Sequence, residues 1–367
     1  MERPHIEKVL PRVLWISFWW LQESQSPAFI AVVLRAVELR PSIATLRLAE
    51  TFGIARGSRT EQGVVRVEVE AEGVVGRGEA APIYYRGESE ESALAFLEAL
   101  EPPRDPFDLE AGLPREGDAA GRSALDAAMH DWIGRRLGVP VWRLLGLSRE
   151  QAPPTSYTIG IDSVEGTLDR VRRADGFRAL KIKVGGAEDL ARLYAVRTRS
   201  EVPLRVDANE GWTLDSAREL MPALIELDVE LVEQPFPAGD LESFRALREL
   251  EPRPAIIVDE GCHDSRDVSK VAGYADGINI KLAKSGGLRE AVRMTHAARA
   301  LGLTVMLGCM VESQLGIAPA AQIASLADWV DLDGHLLLAD EPFTGLELEE
   351  GRVLPSHGPG LGVEPVE

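Results

Sequence analysis

From residue 154 to residue 332 the chain repeats one unit, a short apolar run followed by an amphipathic stretch. The apolar runs cover residues 155–161, 178–184, 203–206, 230–232, 255–258, 277–281, 304–307 and 329–332. Runs this short, bounded by turn residues, read as buried strands, and the stretches between them read as helices. In one such stretch Leu214, Ala217, Leu220, Met221, Leu224 and Ile225 form a stripe at helical spacing, with Thr213 placed to cap it. Eight strands with helices after the first seven predict an α/β fold, a (β/α)7β modified TIM barrel over residues 151–338. Functional groups in such barrels gather at the C-terminal ends of the strands.

The rhythm before residue 150 is different. Residues 34–81 read as strands, and 64–71 (VVRVEVEA) alternates apolar and polar positions as a half-buried strand does. Gly76, Gly78 and Pro82 are expected to mark its end. Over 123–138 the period becomes helical, with Leu125, Ala128, Met129, Trp132, Ile133 and Leu137 on one face and Gly138 as the stop. Strands first and helices after predict an α+β domain over residues 34–150. The Gly- and Pro-rich segment 339–367 is expected to pack back over it. Residues 1–33 stand apart. Their apolar stretch 13–21 (VLWISFWWL) has no clear basic flank and no cleavage pattern, so it reads as an extension outside the core and not as a signal peptide.

Composition narrows the function. The chain has 367 residues and a formal net charge of −19, the opposite of a nucleic-acid-binding footprint. No apolar run is long enough to span a membrane. Cys262 and Cys309 are its two cysteines, which excludes a disulfide framework and suits the cytoplasm. A homo-oligomer is compatible with this composition.

Charged residues recur at the ends of the predicted strands. Lys181 and Lys183 come first, then Asp207, Glu233, Asp259 and Lys281, at spacings of 24, 26, 26 and 22 residues from Lys183 onward. A period of about 25 residues fits one strand, one helix and two turns. One such carboxylate is ordinarily a solvated loop residue. Three in near-equal register, all hard oxygen donors, suit Mg²⁺. Asn209, two residues beyond Asp207, and Glu260, beside Asp259, are candidate supporting groups. Lys181 and Lys183 share a strand face directed into the barrel. Each opposes protonation of the other, so one of them is expected to have a lowered pKa and act as a base. Lys281 comes from the sixth strand, across the barrel from the second. Bases on two sides of a metal suit removal of a proton beside a carboxylate and its return from the opposite side.

The segments LKIKVG (180–185), RVDANEGW (205–212), LVEQPF (231–236), IVDEG (257–261) and INIKLAKSGG (278–287) resemble the enolase superfamily and, within it, the muconate-lactonizing subgroup. The resemblance runs from about residue 34 to the C-terminus. It implies an α+β domain that caps the barrel, Lys183 and Lys281 as the acid/base residues, and Asp207, Glu233 and Asp259 as Mg²⁺ ligands. It also implies the family's mechanism, in which a lysine base works with Mg²⁺ on an enediolate. Asp331 and Asp333, in WVDLDG at the end of the eighth strand, resemble the D-x-D of dipeptide epimerases, which holds the free α-amino group of an L-Ala-D/L-Glu type substrate.

Thr158, Lys181 and the segment LGCMVES (307–313) match substrate-binding positions of the family. In that segment, Cys309 and Val311 stand where relatives often have Ser and Ile. A thiol is a weak donor, so contact there is expected through the main chain. The stretches 52–59 (FGIARGSR) and 80–87 (AAPIYYRG) match loops that cover the substrate. Arg56 or Arg59 is the candidate partner of a second-residue carboxylate, and Arg56 is taken as the contact. N-acylamino acid racemase, o-succinylbenzoate synthase and muconate cycloisomerase remain as alternatives whose substrates lack the ammonium. An inactive metal-binding barrel is a third kind of reading, opposed by the intact charged set. Mandelate-racemase-like dehydratases usually need a barrel histidine; the seventh-strand segment has none, and His296 falls within a helical pattern.

Overall fold

The computed structural model describes residues 37–366, so the extension expected over residues 1–33 lies outside the described residues. Three antiparallel strands come first: β1 Glu38–Ile54, β2 Gly57–Ala71 and β3 Val74–Ala80. Along β2, Val65, Val67, Val69 and Ala71 are buried while Arg66, Glu68 and Glu70 are half-buried, as the alternation requires. Helices α1 Glu90–Glu98 and α2 Ala119–Leu137 follow, and both pack on this sheet. α2 buries Leu125, Ala128, Met129 and Trp132. Leu137 departs from the expected stripe and is exposed, because the helix ends there and Gly138 turns away at φ 68.

Gly76 and Gly78 do not end a strand; both lie within β3. A Cβ on Gly76 would sit 2.2 Å from the Ala128 carbonyl oxygen, and one on Gly78 would sit 2.0 Å from that of Ala124. Their role is the close approach of the α2 backbone to the sheet. Gly78→Val is therefore expected to lower stability by at least ~1–3 kcal/mol, the usual cost of overpacking. Urea denaturation measures it, and an unchanged midpoint would refute the close-packing account.

Eight parallel strands make the second layer: β4 Tyr157–Ile159, β5 Leu180–Lys183, β6 Leu204–Asp207, β7 Val229–Glu233, β8 Ala255–Val258, β9 Gly277–Lys281, β10 Thr304–Gly308 and β11 Trp329–Asp331. They pair in chain order. A bridge between Thr155 and Val330, with the Ser156 N–H donating to the Val330 oxygen at 3.0 Å, sets the first strand beside the last. The result is a nearly closed barrel. Helices α3 Val164–Arg173, α4 Asp189–Arg197, α5 Leu214–Glu226, α6 Leu241–Arg248, α7 Ser265–Val271, α8 Leu288–Ala300 and α9 Gln314–Ile323 occupy the seven gaps. On α5, Thr213 and Ser216 form a capping box, and Ala217, Met221 and Leu224 are buried. Ile225 is exposed, and Leu227 just past the helix is buried in its place.

Alternation along the strands sorts the core. Ile182, Val206, Val232, Val258 and Ile280 face outward onto the helices. Leu231, Ile257 and Met306 form a separate inner cluster on the opposite strand faces. Two residues beyond Leu231 and Ile257, on the same inward parity, come Glu233 and Asp259. The chain after the barrel returns to the first layer: the Leu361 N–H donates to Asp131 at 2.8 Å, Arg135 donates to the Val363 oxygen at 2.8 Å, and the Ala339 N–H donates to the Arg47 oxygen at 2.8 Å. Among the described residues, no helix is long and apolar enough to cross a membrane.

Candidate active site

Register fixes the order of the charged groups. Lys183 of β5 lies opposite Asp207 of β6, which lies opposite Glu233 of β7. Asp259 is one residue past β8 on the same inward parity. Lys281 ends β9 and is paired through Gly308 of β10 with Asp331 of β11. β5 and β9 are four strands apart in an eight-stranded order, so Lys183 and Lys281 come from opposite sides. A cavity of about 370 Å³ opens above them. Its walls include Lys181, Lys183, Lys281, Thr158, Asn209, Cys309, Val311, Asp331 and Asp333 from the barrel, and Arg56 and Arg59 from the cap. Asp207, Glu233, Asp259 and Glu260 are buried.

The carboxylates and lysines are tightly interlocked. Lys183 Nζ donates to Asp207 at 2.6 Å, and Lys281 Nζ donates to Asp259 at 2.7 Å. Lys181 Nζ lies 2.6 Å from Asp331, 2.6 Å from Glu233 and 3.2 Å from Asp207. Burial opposes its charge, but these three carboxylates outweigh burial and raise its pKa well above the ordinary lysine value. Lys181 is thus not the low-pKa base that the lysine pair suggested, because its nearest charges are anions and not its neighbour lysine. Lys281 is also raised, its burial overcome by Asp259 and Glu233. Asp207 is lowered against its burial by Lys183 and Lys181, and Asp259 is lowered against its burial by Lys281 and Lys284. Glu233 moves the other way, to about 7, through burial and the charge of Asp207.

Among the described residues no three His, Cys, Asp or Glu side chains form a ready cation cage. At least one oxygen of each of Asp207, Glu233 and Asp259 lies within 2.7 Å of an ammonium group. The donor set nevertheless fits a hard divalent cation. Three buried carboxylates meet at neighbouring strand ends, and Glu233 Oε2, though 2.6 Å from Lys181, has no hydrogen-bond partner.

The supporting groups act in ways the sequence did not specify. Asn209 has a positive φ of 42, so it leaves the strand parity and supports Asp207 through its backbone N–H, 3.0 Å from Oδ1. Glu260 accepts from Arg56 at 2.6 Å. Two more residues belong to the network. Asn279 donates to Glu233 at 2.6 Å, and the fully buried Lys284 donates to Asp259 Oδ1 at 2.7 Å and to the Asn279 oxygen at 3.1 Å. Both lie in INIKLAKSGG, and the parity of Asn279 with Lys281 was a readable signal for the first.

At the far wall, Thr158 organises the D-x-D. Its N–H donates to Asp333 at 2.5 Å, and its hydroxyl donates to Asp333 at 3.1 Å and lies 3.3 Å from Asp331. Lys181 lowers Asp331 against its burial, while burial and the Asp331 charge push Asp333 up to about 7. The Cys309 thiol is raised by burial and by Asp333. His296 is exposed on α8.

The covering segment 52–59 is the tip of the β1–β2 hairpin, with Phe52 opposite Arg59 and Gly57 at φ 137. The Gly53 oxygen accepts from the Ile161 N–H at 2.9 Å, which ties the tip to the barrel. Arg56, taken from sequence as the carboxylate contact, is already engaged. It donates to Glu260 and to Glu210, the latter at 3.2 Å, and lies 5.0 Å over the Tyr85 ring. Arg59 also lines the cavity, and among the described residues it forms no ion pair. It donates to the neutral Gln62 and lies 5.4 Å over the Tyr84 ring.

A parallel barrel with lysines on opposite sides of three buried carboxylates defines a class, the barrel enzymes whose acid–base chemistry sits at the strand ends. The chain belongs to the enolase C-terminal domain-like family, whose model matches residues 164–367. It is 38% identical over 327 residues to the L-Ala-D/L-Glu epimerase of Bacteroides thetaiotaomicron, covering 87% of this chain and 85% of that one. A solved dipeptide epimerase from Enterococcus faecalis, complexed with Mg and L-Leu-L-Tyr, superposes with a TM-score of 0.81 at 33% identity, covering 90% of this chain and 99% of that one. A dipeptide epimerase from Methylococcus capsulatus, complexed with Mg and L-Arg-D-Lys, gives 0.79 at 34% identity, covering 90% and 99%.

Proposed function

We propose that this protein is a Mg²⁺-dependent dipeptide epimerase that inverts the α-carbon of the C-terminal residue, with an L-Ala-D/L-Glu type substrate. One observation carries the reading: Lys183 and Lys281 line one cavity from opposite strands, and the wall of that cavity holds the paired carboxylates Asp331 and Asp333. The resemblance to relatives named as dipeptide epimerases supports it.

The residues divide the work. Asp331 and Asp333 receive the substrate's α-ammonium, and Thr158 fixes their orientation. Lys181 balances the charge beneath them. Lys183 and Lys281 flank the α-carbon, so one takes the proton and the other returns one on the opposite face. Asp207, Glu233 and Asp259 would hold Mg²⁺, which would supply Lewis acidity at the substrate carboxylate. Asn279 and Lys284 hold Glu233 and Asp259 in orientation. The cap hairpin covers the second side chain, and Arg59, which has no ion-paired carboxylate among the described residues, receives an acidic one.

N-acylated amino acids and succinylbenzoate-type substrates bring no cation to Asp331 and Asp333, which would leave two buried carboxylates facing a neutral or anionic group. An inactive barrel is opposed by the complete set of catalytic groups. Cys262 and Cys309 are both free thiols, which supports a cytoplasmic location.

The test is isotope exchange. Incubation with L-Ala-L-Glu and Mg²⁺ in D₂O is expected to place deuterium at the α-carbon of the second residue and to generate the L,D product, followed by ¹H NMR. No exchange with any member of a broad dipeptide panel would refute the function.

A further inference from the structure

Gln62 is only 1% exposed, and it lines the same cavity as Arg59. Its Oε1 accepts from Arg59 Nη1. Its Nε2 donates to the Gly63 oxygen at 2.8 Å and to the Tyr84 hydroxyl at 3.1 Å. Two acceptors on the nitrogen set which way the amide points, and they turn its oxygen toward the guanidinium. The Tyr84 hydroxyl in turn donates to Glu90 Oε1 at 2.8 Å. Arg59, Gln62, Tyr84 and Glu90 therefore form a directed chain in which each group donates to the next. Room for its last member depends on Gly63, where a Cβ would sit 1.4 Å from Glu90 Oε1.

The two cap arginines are held by different chemistry. The acceptors on Arg56 include two carboxylates, so its charge is cancelled locally. The acceptor on Arg59 is an amide, which orients the guanidinium and leaves its charge intact. The carboxylate that ends the chain is Glu90, two hydrogen bonds beyond Gln62, so its compensation of the cation is weaker than a direct ion pair.

We propose that Gln62 is a specificity-positioning residue: with Tyr84 and Glu90 it holds Arg59 oriented but not neutralised, so that the cavity selects dipeptides with an anionic second side chain. This rests on the assignment of Arg59 made above. It predicts that selectivity depends on the residue at 62 being a neutral acceptor, and not merely on the presence of Arg59.

Steady-state kinetics of the full chain with L-Ala-L-Glu and its neutral isostere L-Ala-L-Gln test this. Gln62→Glu is expected to raise KM for L-Ala-L-Glu about tenfold or more, the scale of one charge-assisted hydrogen bond, with kcat within about threefold. KM for L-Ala-L-Gln should stay within about twofold, which also shows that the variant is folded. Tyr84→Phe, at a partly exposed position, should shift the Glu/Gln preference in the same direction by a smaller factor. Tyr84→Phe decides the matter if the Gln62 variant does not fold. The proposal is overturned if Arg59→Leu abolishes the preference while Gln62→Glu and Tyr84→Phe keep it; the Arg59 assignment then survives. Equal damage to both substrates in the Gln62 variant would make the residue structural and also overturns it. If Arg59→Leu itself keeps the preference, the Arg59 assignment fails and this inference falls with it.

Discussion

Lys183→Ala and Lys281→Ala are each expected to lose epimerisation by at least ~10²–10⁴-fold, the range set by removal of a general acid–base group. The two variants should not behave alike in D₂O. Lys183 and Lys281 project from β5 and β9, four strands apart, so each reaches one face of a substrate α-carbon. With one lysine gone, the other can still remove a proton from its own face and return a deuteron there. Each variant should therefore exchange the α-hydrogen of only one epimer, without inversion, and the two variants should select opposite epimers. NMR of L-Ala-L-Glu and L-Ala-D-Glu incubated separately with each variant reads this out. Full epimerase activity in either variant, or exchange of the same epimer by both, would sink the two-base arrangement. Lys181→Met supplies a contrast. Lys181 is held by three carboxylates that favour its charged form, so its loss should weaken substrate and metal binding without epimer selectivity.

The second large effect belongs to the D-x-D. Asp333→Asn is expected to weaken L-Ala-L-Glu binding by at least ~30-fold, from the ~2–5 kcal/mol lost when one partner of a buried charge pair is removed. An asparagine can place its oxygen to accept from the Thr158 N–H and its NH2 to donate to the Thr158 hydroxyl oxygen, so the wall keeps its shape while it loses the charge. The Asp331→Asn/Asp333→Asn double variant should lose more, although it also deprives Lys181 of a partner at 2.6 Å. Binding of N-acetyl-L-Ala-L-Glu, which has no ammonium, should change far less. Calorimetric titration of both ligands against both variants measures the difference. Equal loss for the two ligands would assign the D-x-D a structural role and would reopen the N-acylamino acid reading.

Much of this site was legible from residue order. In a parallel barrel each strand contributes inward positions at period two, and each βα unit adds about 25 residues. Lys183, Asp207, Glu233, Asp259 and Lys281 could therefore be placed from spacing alone, and the register lines up the first three as neighbours. Asn279 was within reach of the same rule, since it shares parity with Lys281. Lys284 was not, because it lies past the strand end where parity stops. Asn209 shows the same limit: its left-handed backbone turns it into a support for Asp207 through a main-chain N–H. Gly76 and Gly78 looked like strand punctuation because a glycine's reason is a neighbour, here the α2 backbone, which is 46 or more residues further along the chain.

The cap hairpin marks the sharper boundary. Arg56 and Arg59 are three residues apart in one polar segment, and nothing in that segment says which cation is already compensated. The answer lies in Glu260 and Glu210, which reach Arg56 from strand ends 204 and 154 residues away in sequence. The partner of Arg59, by contrast, is a local amide.

By itself the sequence determined the barrel, the face on which each charge sits and the order of lysine, three carboxylates and lysine around it, because strand period and repeat length are local properties of the chain. Only the tertiary structure decided how those charges are paired: that three carboxylates hold Lys181 as an ammonium, that Thr158 and Asp333 meet across 175 residues, and that Arg56 is ion-paired to carboxylates while Arg59 meets an amide. Pairing depends on barrel closure and cap docking, and the distances they create have no counterpart in sequence separation.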